Sequence, residues 1–172
     1  MKPAEMDRIL DTITLIADTR EHVTAEYEKR IAAIGYPCRR EALNFGDYSG
    51  EYTRDGKVYS LTSELAIERK MSLDEICGNF GKGRRRFNNE FTRAAEAGAK
   101  MHLIVENGNY EKIIAEKYRS KFSGNSLMSS IIAFCDRYNL TMHFCTPETT
   151  PIIINKLLYH HVRNKLMSEV EV

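Results

Sequence analysis

Apolar and β-branched residues alternate with polar ones, or run together, in segments that are typical of strands. These segments lie at 12–17, 39–45, 47–53, 57–61, 64–70, 101–106 and 141–145. Apolar residues at helical spacing predict helices at 23–34, 72–80, 84–97, 111–118, 126–138 and 151–167. Residues 1–11 fit a short leader with at most a helical turn. Because strands and helices intermix, the pattern predicts an α/β fold with a central mixed β-sheet flanked by helices.

Turn and capping residues set several of these boundaries. Asp55-Gly56 predicts a two-residue hairpin between the third and fourth strands. Gly35 fits the C-terminal cap of the first long helix. Ser72 starts a capping box, and Ser126 is expected to cap the helix that follows it.

Composition narrows the class of protein. The chain has 172 residues, of which 42% are hydrophobic and 28% charged, so a single globular domain is expected. It contains no apolar run long enough for a membrane span. The four cysteines form no Cys-x-x-Cys pair, which favours reduced thiols in an intracellular, cytoplasmic protein. The net charge of +1 does not by itself indicate nucleic acid, so that argument rests on local clusters.

The segment 64–70 carries two charged side chains on one face of a predicted strand. Because side chains alternate between faces, Leu65 and Ile67 point one way, and Glu68 and Lys70 point the other. A neighbouring strand end contributes Asp47. Carboxylates hold a hard divalent cation and a lysine positions or polarises water, so this trio fits metal-assisted phosphodiester cleavage. The alternative is a solvated charge pair with no chemical role.

Short motifs in a fixed order extend this trio. Asp-Thr-Arg-Glu occupies 18–21, Gly-Asp-Tyr occupies 46–48, and Glu-Arg-Lys occupies 68–70 with Asp74 four residues further on. Together they resemble the nuclease domain of the XPF-type structure-specific DNA endonucleases, the xeroderma pigmentosum group F family. The order and spacing of three motifs make this signal far more specific than an isolated Glu-x-Lys.

The resemblance covers most of the chain. It is dense over a motif core at about 12–107 and weaker in a helical part at about 108–172, so one nuclease domain over 1–172 is expected. Glu90 stands where glutamine is usual in the family. The tandem helix-hairpin-helix domain that many members carry is not expected in these residues, which leaves the preference for branched DNA open.

The resemblance implies a restriction-endonuclease-like fold and a divalent-metal-dependent endonuclease that uses Mg²⁺ or Mn²⁺. Its substrate would be DNA, at branched, flap or junction structures. The alternatives are a catalytically silent scaffold that holds DNA or a partner, and a nuclease of another nucleic acid, such as a junction resolvase or an RNA nuclease. Catalysis is assigned to Asp47, Glu68, Lys70 and Asp18, and metal binding to Asp18, Asp47 and Glu68.

Supporting roles are expected for Arg20, Glu21 and Arg69. A purely structural ion pair is an open alternative for Arg20. Arg69 faces away from Glu68 on strict alternation, so a structural role is its default.

Two further predictions concern partners. DNA backbone binding is expected of a basic cluster with a local charge of +4 against Glu90, although such clusters are often only solvated helix faces; its members are Lys82, Arg84, Arg85, Arg86 and Arg93. A homodimer is expected through the helices at 126–138 and 151–167. Their apolar stripes are not expected to be fully covered in one copy; they consist of Leu127, Ile131, Phe134, Ile153, Leu157 and Leu158.

Overall fold

The computed structural model describes residues 2–169, so Met1 and 170–172, at the ends of the predicted domain, lie outside the described residues. Within 2–169, one seven-stranded sheet contains β1 (Thr14–Asp18), β2 (Cys38–Glu41), β3 (Tyr48–Arg54), β4 (Lys57–Ser60), β5 (Leu65–Lys70), β6 (Lys100–Glu106) and β7 (Thr141–Cys145). The same part of the chain has seven helices: α1 (Pro3–Leu10), α2 (Ala25–Ile34), α3 (Leu73–Phe80), α4 (Arg84–Glu96), α5 (Tyr110–Ile114), α6 (Gly124–Tyr138) and α7 (Thr150–Ser168).

The sheet is mixed. Its strand order is β2-β1-β3-β5-β6-β7, and β4 pairs with β3 beside this path. β1 is parallel to β2, β3 is antiparallel to β1 and β5, and β5, β6 and β7 are mutually parallel neighbours. β3 and β5 are paired only at Tyr48 and Ile67, so the two strands diverge from this point.

Helices cover both faces of the sheet and enclose two hydrophobic cores. Leu65 and Ile67 of β5 belong to the core beneath α1, α2 and α7. Ala66, the residue between them, belongs to the core beneath α3, α4 and α6. The predicted α/β class, the mixed sheet and the alternation of β5 are therefore confirmed.

Local signals set several of the boundaries as expected. Asp55 and Gly56 have φ values of 51° and 74°, the left-handed conformation that a type I′ hairpin turn requires at both central positions. Ser72 accepts a hydrogen bond from the N–H of Glu75 and begins α3. Gly35, with φ of 83°, ends α2.

Other local predictions were wrong. The short leader expected at 1–11 is contradicted over its described part, because Pro3–Leu10 form α1 and bury Ile9 and Leu10 in the first core. The second strand ends at Glu41, and the loop after it buries Leu43 and Phe45 without strand pairing. α6 is capped by Ser123, so Ser126 lies in its first turn.

Most of the apolar stripes on α6 and α7 are already covered within one copy. Leu127, Ile131, Phe134 and Leu158 are buried, and Ile153 and Leu157 are partly buried, which contradicts the expected uncovered stripes. The exposed large apolar residues on these helices are instead Ile132, Ile152 and Met167. Of the helices in the described chain, not one has the length and apolarity to cross a membrane.

Candidate active site

A tight turn at Gly46 brings Asp47 to the point where β3 and β5 diverge. Gly46 has φ of +74°, and a Cβ there would lie 2.9 Å from the Cβ of Ala66, so only glycine fits. The N–H of Asp47 donates to the carbonyl of Ile67 at 2.9 Å, and its carbonyl accepts from the N–H of Asp18 at 2.8 Å. The N–H of Arg69 donates to Asp47 Oδ2 at 2.8 Å. The backbone of β1 and β5 thus fixes the position of this carboxylate.

β5 presents Glu68 and Lys70 side by side, as the alternation predicted. Lys70 Nζ donates to Glu68 Oε1 at 2.5 Å. The two residues are only 3% and 9% exposed, so this is a buried ion pair and not a solvated one. Lys70 Nζ also lies 5.6 Å from the ring centroid of Phe87 on α4. Burial excludes the surface-pair alternative for these two residues.

The electrostatics of this group are dominated by burial and by neighbouring carboxylates. Burial, with a further contribution from the charge of Glu21, raises the pKa of Asp47 to about 7. Burial and the charge of Asp47 raise the pKa of Glu68 well above its ordinary value. Burial alone would lower the pKa of Lys70, but the charge of Glu68 holds it above its ordinary value, so Lys70 is a cation at neutral pH. The site therefore holds two carboxyl groups and one lysine, and ionisation of both carboxyl groups is unfavourable without a further cation.

Asp18 is held by Arg20. Its carboxylate accepts from Arg20 Nε at 2.8 Å and from the second guanidinium nitrogen at 3.0 Å. The N–H of Leu43 donates to Oδ2 at 2.7 Å. Burial alone would raise the pKa of Asp18, but the hydrogen bonds from Arg20 and Leu43 keep the pKa below its ordinary value. The structure therefore supports the ion-pair alternative for Arg20, with Asp18 as an anchor for the loop before Gly46.

Glu21 belongs to a second polar group, which includes Tyr48, the residue after Asp47. Its Oε2 accepts from the hydroxyl of Tyr48 at 3.1 Å and from the guanidinium of Arg30 at 3.3 Å. Arg30 Nε also donates to that hydroxyl at 2.9 Å. Arg30, on α2, was missed from the sequence, and its only signal is its position three residues after Tyr27 on the helix face toward the sheet.

Arg69 has the structural role expected of it. Its guanidinium makes two parallel hydrogen bonds of 2.7 Å to the buried carboxylate of Glu106 on β6. Thr150, at the start of α7, donates to the same carboxylate at 2.7 Å. This network joins β5, β6 and α7 on the face opposite Glu68.

Two further carboxylates approach the site. Glu90, on α4, accepts the N–H of Gly46 at 2.9 Å and so holds the turn that presents Asp47. Glu75, on α3, lies 3.6 Å from Lys70 Nζ. No local pattern in the sequence indicates either role, although Glu90 differs from the family pattern at its position.

The basic residues of α4 do not share one direction. Successive helix residues are rotated by about 100°, so Arg84, Arg85 and Arg86 point to three different sides. Arg86 and Arg93 lie on the side of Glu90, four residues before it and three after it. Arg93 Nε reaches the carbonyl of Asn44 at 3.1 Å, next to the Gly46 turn.

The carboxylate oxygens of the site are suited to a divalent cation that is held by few protein ligands. Glu68 Oε2 is a buried oxygen for which residues 2–169 provide no hydrogen-bond partner. Across that same range, no three His, Cys, Asp or Glu side chains are arranged to hold a metal, so the predicted cluster of Asp18, Asp47 and Glu68 is not assembled. Mg²⁺ typically uses one or two carboxylates together with waters and substrate phosphates. Asp47 and Glu68 fit that pattern.

A comparison with known protein families establishes which family the chain belongs to. The family model described as the ERCC4 domain matches residues 17–154, most of the chain. The chain belongs to the ERCC4 domain family. This ERCC4 domain is similar in fold to XPF from Aeropyrum pernix, with a TM-score of 0.63 and 21% identity over 92% of this chain and 68% of that chain.

A second solved structure is XPF from Aeropyrum pernix in complex with DNA, with a TM-score of 0.62 and 20% identity over 88% of this chain and 66% of that chain. This ERCC4 domain therefore spans about two thirds of the length of these chains. A comparison with curated proteins found no match. The XPF-type resemblance predicted from the three motifs is confirmed.

Proposed function

We propose that this ERCC4 domain is a DNA endonuclease that requires Mg²⁺ or Mn²⁺. The observation that carries the proposal is the placement of Asp47 beside the buried Glu68–Lys70 pair, with Glu68 Oε2 left without a hydrogen-bond partner among residues 2–169. A buried carboxyl oxygen without a hydrogen bond is unfavourable unless something else binds it. A divalent cation between Asp47 and Glu68 would satisfy this oxygen and would favour the ionised form of both carboxyl groups.

Each residue of the site has a separate role in this proposal. A bound cation would polarise a phosphodiester oxygen and lower the pKa of a coordinated water. Asp47 and Glu68 would hold it. Two hydrogen bonds keep Asp47 in place: the N–H of Arg69 donates to Asp47 Oδ2, and the N–H of Gly46 donates to Glu90. Lys70 stays protonated, so it orients the attacking water or stabilises the charge that develops on the phosphate, and does not act as a base.

DNA is the proposed substrate because the site lies beside basic side chains and because the chain shares its fold with a protein solved in complex with DNA. Arg86 and Arg93 flank Glu90 on the side of α4 nearest the Gly46 turn. Contacts from such residues to phosphates provide most sequence-independent affinity. The preference for branched, flap or junction DNA follows from the family and is part of the proposal.

The test is cleavage of flap, splayed-arm, nicked and four-way DNA, and of matched RNA, in Mg²⁺, Mn²⁺ or EDTA. Cutting of DNA only with metal supports the proposal, whereas full cutting in excess EDTA contradicts the metal requirement. Binding of Mn²⁺ followed by electron paramagnetic resonance gives a second readout, which should weaken in Asp47→Asn and Glu68→Gln. Metal-independent DNA binding without any cleavage would favour the scaffold alternative, and cleavage of RNA alone would favour an RNA nuclease.

We also propose that two copies pair through α6 and α7. Ile132 and Ile152 are 53% and 57% exposed, which is unusual for isoleucine. Ile152 lines a groove of about 760 Å³ together with the partly buried Ile153 and Leu157. A second copy would cover these residues and enlarge the DNA footprint. Light scattering should give twice the chain mass of 19.8 kDa, and Ile152→Asp should restore the single mass. A single mass for the parent at tens of micromolar would exclude the pairing.

A further inference from the structure

The segment between α5 and α6 exposes three basic side chains and one acidic side chain, Glu116. Lys117, Arg119 and Lys121 are exposed, whereas the alternate residues Tyr118 and Phe122 are partly buried and pack on the second core. The hydroxyl of Tyr118 also donates to the carbonyl of Phe122 at 3.0 Å. The aromatic residues thus attach the segment to the domain while the cations face outward.

Asp74 fixes this segment next to the active site. The N–H of Arg119 donates to Asp74 Oδ1 at 2.6 Å, and Arg119 Nε donates to Oδ2 at 3.2 Å. Asp74 is the last residue of the third motif, yet its carboxylate faces the segment and not Asp47. Its neighbour Glu75 lies 3.6 Å from Lys70 Nζ. The first turn of α3 therefore contacts the catalytic lysine on one side and the basic segment on the other.

The acidic groups of this region are engaged with backbone. Glu116 Oε1 accepts the N–H of Gly124 at 2.8 Å, as Asp74 accepts that of Arg119. The segment also lies next to the turn before α4, because a Cβ at Gly81 would lie 4.0 Å from the Phe122 ring. Lys82 follows in that turn and is exposed. The outward-facing surface is consequently rich in cations over two adjacent segments of the chain.

We propose that Lys117, Arg119 and Lys121, together with Lys82, form a second phosphate-binding surface that holds the backbone of a DNA duplex arm beside the active site. The inference rests on the proposed DNA endonuclease function. Exposed cations on a segment that is already ordered bind phosphates with little loss of conformational entropy. The position beside α3 gives the duplex a point of contact in addition to Arg86 and Arg93.

The test uses Lys117→Gln/Lys121→Gln, which leaves the Arg119–Asp74 pair intact. The matched control is Lys29→Gln/Lys57→Gln, which removes the same charge from exposed lysines on α2 and on β4. Lys117→Arg/Lys121→Arg retains the charge. Binding of a duplex-containing flap is measured in Ca²⁺ over a range of salt concentrations, and cleavage by the parent is measured in Mg²⁺.

The glutamine variant should reduce the magnitude of the salt slope by about 0.9 for each lost contact, which is roughly eightfold in affinity per contact at about 0.1 M salt. The control and the arginine variant should bind like the parent. An unchanged slope, an equal loss in the control, or a loss in the arginine variant would each overturn the second surface. The proposed function fails separately, if the parent cuts no DNA with any metal whatever these variants do.

Discussion

Replacing Lys70 by methionine tests the proposed role of this residue in catalysis and its contribution to stability. Lys70 is 9% exposed and donates to Glu68, which is 3% exposed. Loss of one preorganised donor slows a chemical step by about 10²- to 10³-fold, or about 2.7–4 kcal/mol. We therefore expect Lys70→Met to cut DNA at least about a hundredfold more slowly under single-turnover conditions with saturating enzyme.

The same substitution should also destabilise the domain. Removing one partner of a buried ion pair leaves an uncompensated charge, which costs about 3–5 kcal/mol when the remaining group stays ionised. The raised pKa of Glu68 allows this carboxyl to take up a proton, so the observed loss should lie at or below the lower end of that range near neutral pH. Urea unfolding in EDTA measures it without any contribution from bound metal.

The double variant Glu68→Gln/Lys70→Met tests the reason for the loss. It removes both charges at once, so it should be more stable than Lys70→Met, although it should remain inactive. If the double variant unfolds as easily as the single one, the unpaired charge is not the cause. If Lys70→Met cuts at the parental rate, the catalytic role of Lys70 is wrong.

Three other predictions concern Arg86, Gly46 and His102. Arg86→Gln should lower the magnitude of the salt slope of DNA binding by about 0.9, and Arg85→Gln should not, since Arg85 points away from Glu90; equal slopes would contradict this. Gly46→Ala should lower the urea midpoint and abolish cleavage, because its φ of +74° and a 2.9 Å contact disfavour any side chain; a parental midpoint would refute the clash. Burial, with a contribution from a neighbouring histidine, lowers the pKa of His102 from 6.5 to about 3. The unfolded state therefore binds more protons at this residue below pH 6.5, so His102 contributes a loss of about 1.4 kcal/mol between about pH 7.5 and 5.5. The raised pKa values of Asp47 and Glu68 act in the opposite direction, so in urea unfolding the change in stability over this range should be about 1.4 kcal/mol more favourable in His102→Gln than in the parent, and an identical pH dependence in the two proteins would exclude His102 as a source.

The sequence predicted the parts of the site that depend on local rules. Alternation along β5 placed Glu68 and Lys70 together on one face and Arg69 on the other, because the side-chain period of a strand is fixed. The Gly46-Asp47-Tyr48 motif placed Asp47 at a neighbouring strand end. These residues need only short-range geometry to be placed correctly.

The residues that were misplaced depend on contacts between distant segments. Asp18 is close to Arg20 in sequence, but the N–H of Leu43, 25 residues away, also donates a hydrogen bond to its carboxylate. Asp18 thereby anchors the loop that contains Leu43. Glu90 reaches Gly46 across 44 residues, which no local pattern records. Asp74 was included in a catalytic motif, yet its hydrogen bonds go to Arg119, 45 residues further on. Periodicity does not predict which of several available partners a carboxylate chooses.

The two buried ion pairs on β5 differ in how completely their carboxylate oxygens are hydrogen-bonded. In the Arg69–Glu106 pair, both carboxylate oxygens accept hydrogen bonds, and Thr150 adds another. Such a pair is complete and joins two strands to a helix. In the neighbouring Glu68–Lys70 pair, one oxygen of Glu68 has no partner within residues 2–169, although the residue is buried. A buried, incompletely hydrogen-bonded pair is usually less favourable than apolar residues of the same volume, so folding alone does not explain its presence. A ligand that binds the unsatisfied oxygen would explain it, and the adjacent Asp47 carboxylate supports the proposal that this ligand is a cation.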